Sequence, residues 1–188
     1  MASDTRTGLP GGPDEAAGGD AAAALLVAGD SPATPVLAEI VAWESATEEF
    51  LDRWRASGDG TSKLWEERFG ENRYADLAAE ALKIALASAG IDSDDVSRLV
   101  VAGGTERAAS AVSRKSGIAA DRHADRLKDT VGNPGAAQPA LLLASILETA
   151  ESGQNTCCSP WPTVPTPSFS APPRRSRTTV RPGRSRPR

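Results

Sequence analysis

One short segment of the chain carries residue types whose spacing suits chemistry at a carbonyl group. Gly132, Asn133, Pro134 and Gly135 stand shortly before an apolar stretch at 140–150. Glycine permits a tight turn and proline suits the first turn of a helix, so the pattern predicts a helix that begins near Gly135. Asn133 then has two possible roles. It caps the helix, or its amide, with the helix N-terminus behind it, donates hydrogen bonds to a polarised carbonyl oxygen.

The predicted helix is apolar on most of its sides. Its small and aliphatic residues are Ala136, Ala137, Ala140, Leu141, Leu142, Leu143, Ala144, Ile146 and Leu147. A helix with this composition is buried on most of its surface. We therefore expect a central helix that lies against a sheet.

The segment from Val131 to Leu141 resembles the Gly-Asn-Thr-Ser/Gly-Ala-Ala motif of thiolase-superfamily condensing enzymes. The resemblance is to ketoacyl carrier-protein synthases of the third type and to bacterial hydroxymethylglutaryl-CoA synthase-like proteins. It implies a site in which Cys takes an acyl group from a thioester while His and Asn133 stabilise the attacking enolate. The implied substrates are thioesters of CoA or of a carrier protein, without a cofactor. Gly132, Gly135 and Ala136 are then expected to line the substrate, and Pro134 replaces the usual Thr.

The other catalytic positions of that family lack the required side chains. In the family, the strand similar to 99–101 is followed by His and, three residues later, by Asn. A register set on 107–111 places Ala102 in the His position and Thr105 in the Asn position. Alanine cannot transfer a proton or donate a hydrogen bond to an enolate. The matching region also contains no Cys, so we expect this chain to be inactive in condensation by itself.

The remaining nucleophilic and metal-binding residue types are few. His123 is the only histidine and lies in a charged segment, which predicts a solvated surface position. Cys157 and Cys158 are adjacent and follow the expected compact part. Adjacent cysteines rarely bridge, and neither a Cys-x-x-Cys pair nor a His cluster accompanies them. The sequence therefore predicts neither a disulfide framework nor a metal site.

Charge is distributed unevenly along the 188 residues. Residues 1–155 hold 14 basic and 25 acidic residues, which does not favour a nucleic-acid partner. The sequence contains no run of 18 apolar residues, so no membrane span is predicted. Because the first residues lack the apolar core of a signal peptide, we expect a cytoplasmic protein.

Strand and helix patterns alternate along the chain. Strands are predicted at 21–27, 36–43 and 98–102, and helices at 47–55, 72–89 and 105–115. The pattern indicates an α/β fold with a mixed, mostly parallel sheet covered by helices. The resemblance implies a thiolase-like half that is incomplete at both ends. Residues 1–30 would end the first half of that fold and residues 31–155 would form its C-terminal domain.

From Thr156 onward the composition changes to eight prolines and seven arginines without an acidic residue. This predicts a disordered basic tail at 156–188. A second interpretation is a frameshift near Asn155, because a shifted frame in GC-rich codons would encode an apolar strand, a turn and a second strand. Those elements resemble the terminal hairpin of the family. In that case the chain would lack the last two strands of the family's fold.

The sequence leaves three hypotheses about function. The first is an acyl-thioester condensing protein that needs the missing half for catalysis. The second is a non-catalytic thiolase-like subunit or scaffold, whose partner is a thiolase-fold protein or a second copy in a homodimer. The third is a gene remnant without a function.

Overall fold

The computed structural model describes residues 1–4, 8–51, 53–54, 56–61, 63–64, 67–160 and 166–170. Its strands are β1 Ala2–Asp4, β2 Ala21–Ala23, β3 Glu39–Glu44, β4 Arg53–Trp54, β5 Lys63–Leu64, β6 Val96–Ala102, β7 Asn155–Pro160 and β8 Thr166–Ser170. Its α-helices are α1 Pro13–Ala17, α2 Glu67–Ala89, α3 Glu106–Lys115 and α4 Gln138–Leu147. Short 3₁₀ turns occupy Ser93–Asp95, Ala120–Arg122 and Gly135–Ala137.

The main sheet has four strands in the order β3, β8, β7, β6. Strands β6 and β7 are parallel, whereas β7 and β8 as well as β8 and β3 are antiparallel. A parallel pair needs a long crossover, which the segment with α3 and α4 supplies. Strands that follow each other closely in the chain pair antiparallel, as β7 and β8 do. The predicted α/β class with a mixed sheet and covering helices is confirmed, but the described sheet is not mostly parallel, since only β6 and β7 pair in parallel.

Helices cover both faces of this sheet. On one face, α2 and α3 pack on alternate residues of β6 and on Cys157. The buried members of this cluster are Ala75, Leu82, Leu86, Val96, Leu99, Val101, Ala109, Val112, Ile118 and Cys157. On the other face, α4 packs on the remaining residues, and that cluster contains Val100, Ala102, Leu142 and Cys158. Because side chains alternate along a strand, β6 divides its residues between the two layers.

Local sequence explains where α2 and α3 begin and end. The side-chain oxygen of Thr105 accepts a hydrogen bond from the Ala108 N–H at 3.3 Å and so caps α3. Basic residues occupy the last turn of α3, where they complement the helix dipole. Helix α2 ends at Ala89, and Gly90 follows with φ +66°. Helix α3 agrees with the sequence prediction, and α2 ends where predicted but begins at Glu67, five residues before its predicted start.

Two predictions in the N-terminal part are wrong. The expected buried strand at 21–27 is limited to β2, and Leu26 and Val27 are 96% and 80% exposed. The helix expected over 47–55 is absent from the described residues there, where β4 pairs with β5 instead. Apolar spacing produces a buried element only where another layer covers it, and Leu26, Val27 and Leu51 remain exposed here.

The prediction of disorder from Thr156 is also wrong for the residues that the structure describes. Strand β7 lies between β6 and β8, and Thr156, Cys157, Cys158 and Ser159 are buried. Their short side chains fit between the helical layers while the backbone pairs with β6. Two further stretches of the predicted tail, 161–165 and 171–188, lie outside the described residues.

Candidate functional site

The turn that carries Asn133 is held by the N-terminal segment. The Asn133 N–H donates to the carbonyl oxygen of Ala17 at 2.7 Å, and its carbonyl oxygen accepts from the Gly19 N–H at 3.2 Å. The two segments approach so closely that a Cβ on Gly19 would lie 1.8 Å from the carbonyl oxygen of Val131. Glycine at position 19 is therefore required for this contact.

The side chain of Asn133 is oriented by one hydrogen bond. Its Oδ1 accepts from the Gly135 N–H at 3.0 Å. Since a backbone N–H can only donate, this bond identifies the facing atom as the carbonyl oxygen. The Nδ2 group makes no hydrogen bond to any other described residue. Pro134 is the N-cap of the 3₁₀ turn, and Asn133 precedes it in an Asx turn.

The two roles considered for Asn133 are compatible in this geometry. Its oxygen stabilises the start of the 3₁₀ turn that leads into α4, while its amide nitrogen remains a donor. A 3₁₀ turn begins at Gly135, where the sequence predicted the start of the helix, and α4 itself begins at Gln138. Asn133 is half-buried, so part of the residue is in contact with solvent.

The residues predicted to line the substrate lie in the same turn. Gly132 has φ +76°, and a Cβ there would lie 2.8 Å from the carbonyl oxygen of Gly18. Gly135 has φ +56° and is half-buried, whereas Ala136 is exposed. The two glycines thus have a conformational reason to be present. Contact of these three residues with a substrate stays a prediction.

Ala102 ends β6 and is completely buried. Its methyl group packs with Val100, Leu142 and Cys158 on the α4 face. Thus the position that would hold a catalytic histidine contributes to the core and carries no group that transfers a proton. Gly103 and Gly104 follow with φ +81° and +64° and turn the chain towards α3.

Gln138 connects the end of β6 to α4. It is 3% exposed, and its Oε1 accepts from the Gly103 N–H at 2.6 Å. This bond fixes the residue after Ala102 relative to the helix that Asn133 precedes. Sequence reasoning did not identify Gln138. A single glutamine in an otherwise apolar helix is the signal that could have found it, because buried polar groups require partners.

Thr105 has a structural role. Besides capping α3, its hydroxyl lies 3.5 Å from Oε1 of Glu71, which also pairs with Nε of Arg107 at 3.3 Å. The threonine, which the sequence resemblance placed in the family's Asn position, is thus a helix cap in this structure.

His123 lies beside β6, on the side opposite β7. It forms a parallel bridge with Leu99, and its Nε2 lies 3.1 Å from the carbonyl oxygen of Ile118. The predicted solvated position is wrong, because the residue is half-buried. No hydrogen bond or bridge among the described residues joins it to Ala102 or Asn133.

Both cysteines are buried, contrary to the expectation that they lie outside the compact part. Cys157 faces α2 and α3, and Cys158 faces α4. Burial, with a smaller contribution from Cys157, raises the pKa of the Cys158 thiol to about 12. Because the thiolate is the nucleophilic form, Cys158 is unreactive at neutral pH.

Two further features bear on the kind of site. Within the described ranges, no group of three or more His, Cys, Asp or Glu residues could hold a metal ion. No helix described here is long and apolar enough to cross a membrane.

Solved structures resemble this chain in fold. For 3-oxoacyl-(acyl carrier protein) synthase III from Pseudomonas aeruginosa PAO1, the TM-score is 0.60 at 17% identity, covering 72% of this chain and 44% of that one. The synthase III from Aquifex aeolicus VF5 gives 0.60 at 16% identity, over 72% and 45%. OleA from Xanthomonas campestris gives 0.58 at 15% identity, over 71% and 39%. No protein-family model and no curated protein sequence matches the chain.

These matches confirm the fold that the sequence resemblance implied. The chain spans less than half the length of the synthases it matches. Its described part has the fold of a portion of the thiolase-type condensing enzymes.

Proposed function

We propose that this chain is part of a thiolase-like protein that binds acyl thioesters and that, by itself, does not catalyse condensation. The proposal is supported by the fold and by one observation above all. Asn133 has its oxygen bound to the Gly135 N–H, which leaves two amide donors at the start of the turn leading into α4.

Those donors suit the carbonyl oxygen of a thioester. Negative charge develops on this oxygen when an enolate forms, and fixed hydrogen-bond donors stabilise such charge. The positive end of the helix dipole acts in the same direction. Asn133 would therefore contribute to binding and to charge stabilisation.

Catalysis would require two more groups. Acyl transfer to a protein needs a thiolate, and enolate chemistry needs a group that assists proton transfer. Ala102 offers only a methyl group, Thr105 caps α3, and Cys158 is buried with a raised pKa. Within the described residues, nothing else at the Asn133 turn supplies these functions.

Calorimetric titration of the full chain with acetyl-CoA tests this proposal. We expect measurable binding and no release of free CoA. Asn133→Asp keeps an oxygen for the Gly135 N–H but replaces the amide donors with a carboxylate, so binding should be lost while the melting temperature is maintained. Asn72→Asp is the matched control, since Asn72 is exposed on α2. Binding that survives Asn133→Asp would contradict the role of Asn133.

The second candidate is a non-catalytic thiolase-like subunit. It is favoured by exposed large apolar residues on the N-terminal part and on the edge strand β3, including Leu26, Ile40 and Trp43. Contiguous exposed apolar patches mark interaction surfaces, and Ile40 and Trp43 lie on the same edge strand. The partner would be a second copy of the chain or another thiolase-fold protein.

Sedimentation equilibrium tests this candidate with the chain alone and with a thiolase-fold protein that carries the cysteine nucleophile. We expect association that Trp43→Asp weakens and that Ser45→Asp, at an exposed neighbouring position, leaves unchanged. A monomer under both conditions contradicts the subunit hypothesis. If acetyl-CoA binding is also absent, the gene-remnant hypothesis is favoured.

The frameshift hypothesis and the division of the chain near residue 30 stay predictions. Strands β7 and β8 follow the point at which the frameshift was inferred. Sequencing the coding DNA across the Asn155 codon in independent isolates tests the frameshift, and an intact frame in all of them would rule it out.

A further inference from the structure

A cavity of about 390 Å³ lies between α3, β6 and the segment 118–126. Its floor is apolar and is formed by the buried residues Leu99, Val101, Ala109 and Ile118. Its polar lining comes from Glu106, Ser110, Ser113, Arg114, His123 and Arg126. The floor residues face α2 and α3, whereas Ala102 faces α4. This cavity is thus distinct from the Asn133 turn, and its properties are independent of the function proposed for that turn.

Arg126 is the most buried charged group of the cavity. Its guanidinium donates to Oε1 of Glu106 at 2.8 Å and to the carbonyl oxygen of Gly103 at 2.5 Å. Its Nε is buried and has no hydrogen-bond partner in the described part of the chain. A buried N–H without an acceptor has lost its hydrogen bond to water without a replacement, which is unfavourable. The buried guanidinium is therefore a cation whose hydrogen bonds are incompletely satisfied by the described part of the chain.

The electrostatic environment of Arg126 also favours an anion. Burial lowers the pKa of Arg126, while the Glu106 carboxylate acts in the opposite direction. The lowered pKa means that burial removes water from the guanidinium and that the surrounding protein groups replace that water only in part. A second negative charge near the guanidinium would replace part of that lost solvation.

Arg114 supplies a second cation to the same cavity. It is exposed on α3, and it makes no hydrogen bond or ion pair with any described residue. Together, Arg114 and Arg126 outweigh the single carboxylate of Glu106. The polar part of the cavity is thus complementary to one additional negative charge.

We propose that this cavity binds a small carboxylate that carries a short alkyl chain. Arg114 donates hydrogen bonds to the carboxylate, the guanidinium of Arg126 adds a second positive charge to the lining, and the alkyl chain covers the apolar floor. The volume is near the lower end of small-molecule pockets, which span about 300–1,000 Å³ and combine apolar walls with a few polar groups. The size and the lining therefore agree on a small amphiphilic anion.

Titration of the ¹⁵N-labelled full chain, followed by NMR, tests the site. Hexanoate is the probe, and hexanol provides the same chain without a charge. We expect hexanoate to shift the amide signals of 109–113 and 118–124 in a saturable manner, and hexanol to leave them in place at equal concentration. If hexanol binds as well as hexanoate, or if hexanoate shifts no signal in these segments, the proposal is wrong.

Variants of the charged residues should change the affinity for hexanoate in opposite directions. Glu106→Gln removes the competing carboxylate and should tighten hexanoate binding about threefold, whereas Arg114→Gln should weaken it about threefold, as expected for partly exposed charges. Arg98→Gln is the matched control, because Arg98 is an exposed arginine of β6 outside the cavity. Equal affinities for all three variants would overturn the proposal.

A blocking variant avoids disturbing Arg126, which also supports Gly103. Ala120 lines the cavity and is exposed, so Ala120→Trp should cover the opening. We expect hexanoate binding to fall at least about tenfold, the change that 1.4 kcal/mol produces, with an unchanged circular dichroism spectrum. Undiminished binding to the folded Ala120→Trp variant would contradict the location of the site.

Discussion

Residues 67–160 and residues 8–51 use apolar side chains in different ways. We call them the core region and the N-terminal region. The core region contains the buried residues of both clusters around β6. In the N-terminal region, none of the described side chains is buried, and Leu26, Val27 and Leu37 are largely exposed. An apolar stretch becomes part of a core only when a second layer faces it.

The largest expected difference in the free energy of unfolding is between substitutions of two leucines, one in each region. Leu142 is 1% exposed between α4 and β6, whereas Leu26 is almost fully exposed. Leu142→Ala should lower the free energy of unfolding by about 2–5 kcal/mol because it leaves a cavity. Leu26→Ala should change it by less than about 0.5 kcal/mol. Urea denaturation measures both, and similar losses for the two variants would remove the distinction between the regions.

A pH-dependent effect should arise from Cys158 within the core region. Its pKa is raised from 9.0 to about 12, so the unfolded chain loses this proton first as the pH rises. The free energy of unfolding should therefore decrease above pH 9, by about 1.4 kcal/mol per pH unit, until the pH reaches the folded pKa.

Urea denaturation at about pH 8 and at about pH 10.5 measures this loss around the thiol's reference pKa. Cys158→Ala is the control, since it removes the titrating group while other alkaline titrations remain. If wild type and variant lose stability equally, Cys158 is not the cause.

The cap of α3 should contribute a smaller amount. Thr105→Ala removes the acceptor for the Ala108 N–H and should cost about 1 kcal/mol in the free energy of unfolding. Thr47→Ala in the N-terminal region is the control, because Thr47 is exposed outside any helix. Thermal unfolding of both variants measures the difference. An equal cost at both positions would show that the cap does not stabilise the core region.

The smallest expected effect concerns a contact between the two regions. Glu48 pairs with Arg73 of α2 at 3.1 Å, and both side chains are substantially exposed. Glu48→Gln should destabilise the chain by less than about 1 kcal/mol, and high salt should abolish the difference. Glu49→Gln is the neighbouring control. A larger, salt-independent loss measured by urea denaturation would mean that the N-terminal region is coupled to the core more strongly than its exposure suggests.

The core region was largely predictable because its signals are local. Apolar spacing and a terminal glycine indicated α2, and Thr105 stands where an N-cap is expected before α3. Strand β7 was missed for the opposite reason. Its sequence of Thr, Cys, Cys and Ser has no strong local preference, and its burial depends on pairing with β6, more than fifty residues earlier.

The same distinction applies to the candidate site. Asn133 was identified from its neighbours, since a Gly-Asn-Pro-Gly turn before an apolar stretch is a local pattern. The bond from Gly103 to Gln138 joins residues 35 positions apart and has no local signature. The buried strand that ends at Ala102 was predicted, whereas the packing of Ala102 against Leu142 of α4 has no local signature.

The backbone N–H and C=O of Gly103 limit what can bind at the end of β6. Its N–H is engaged by Gln138 and its carbonyl oxygen by Arg126, so both polar atoms already have partners from the protein. Any molecule that sought this backbone would first have to displace a glutamine or an arginine. The side chains of Gln138 and Arg126 thus occupy the backbone hydrogen-bonding positions that a ligand next to Ala102 would otherwise use.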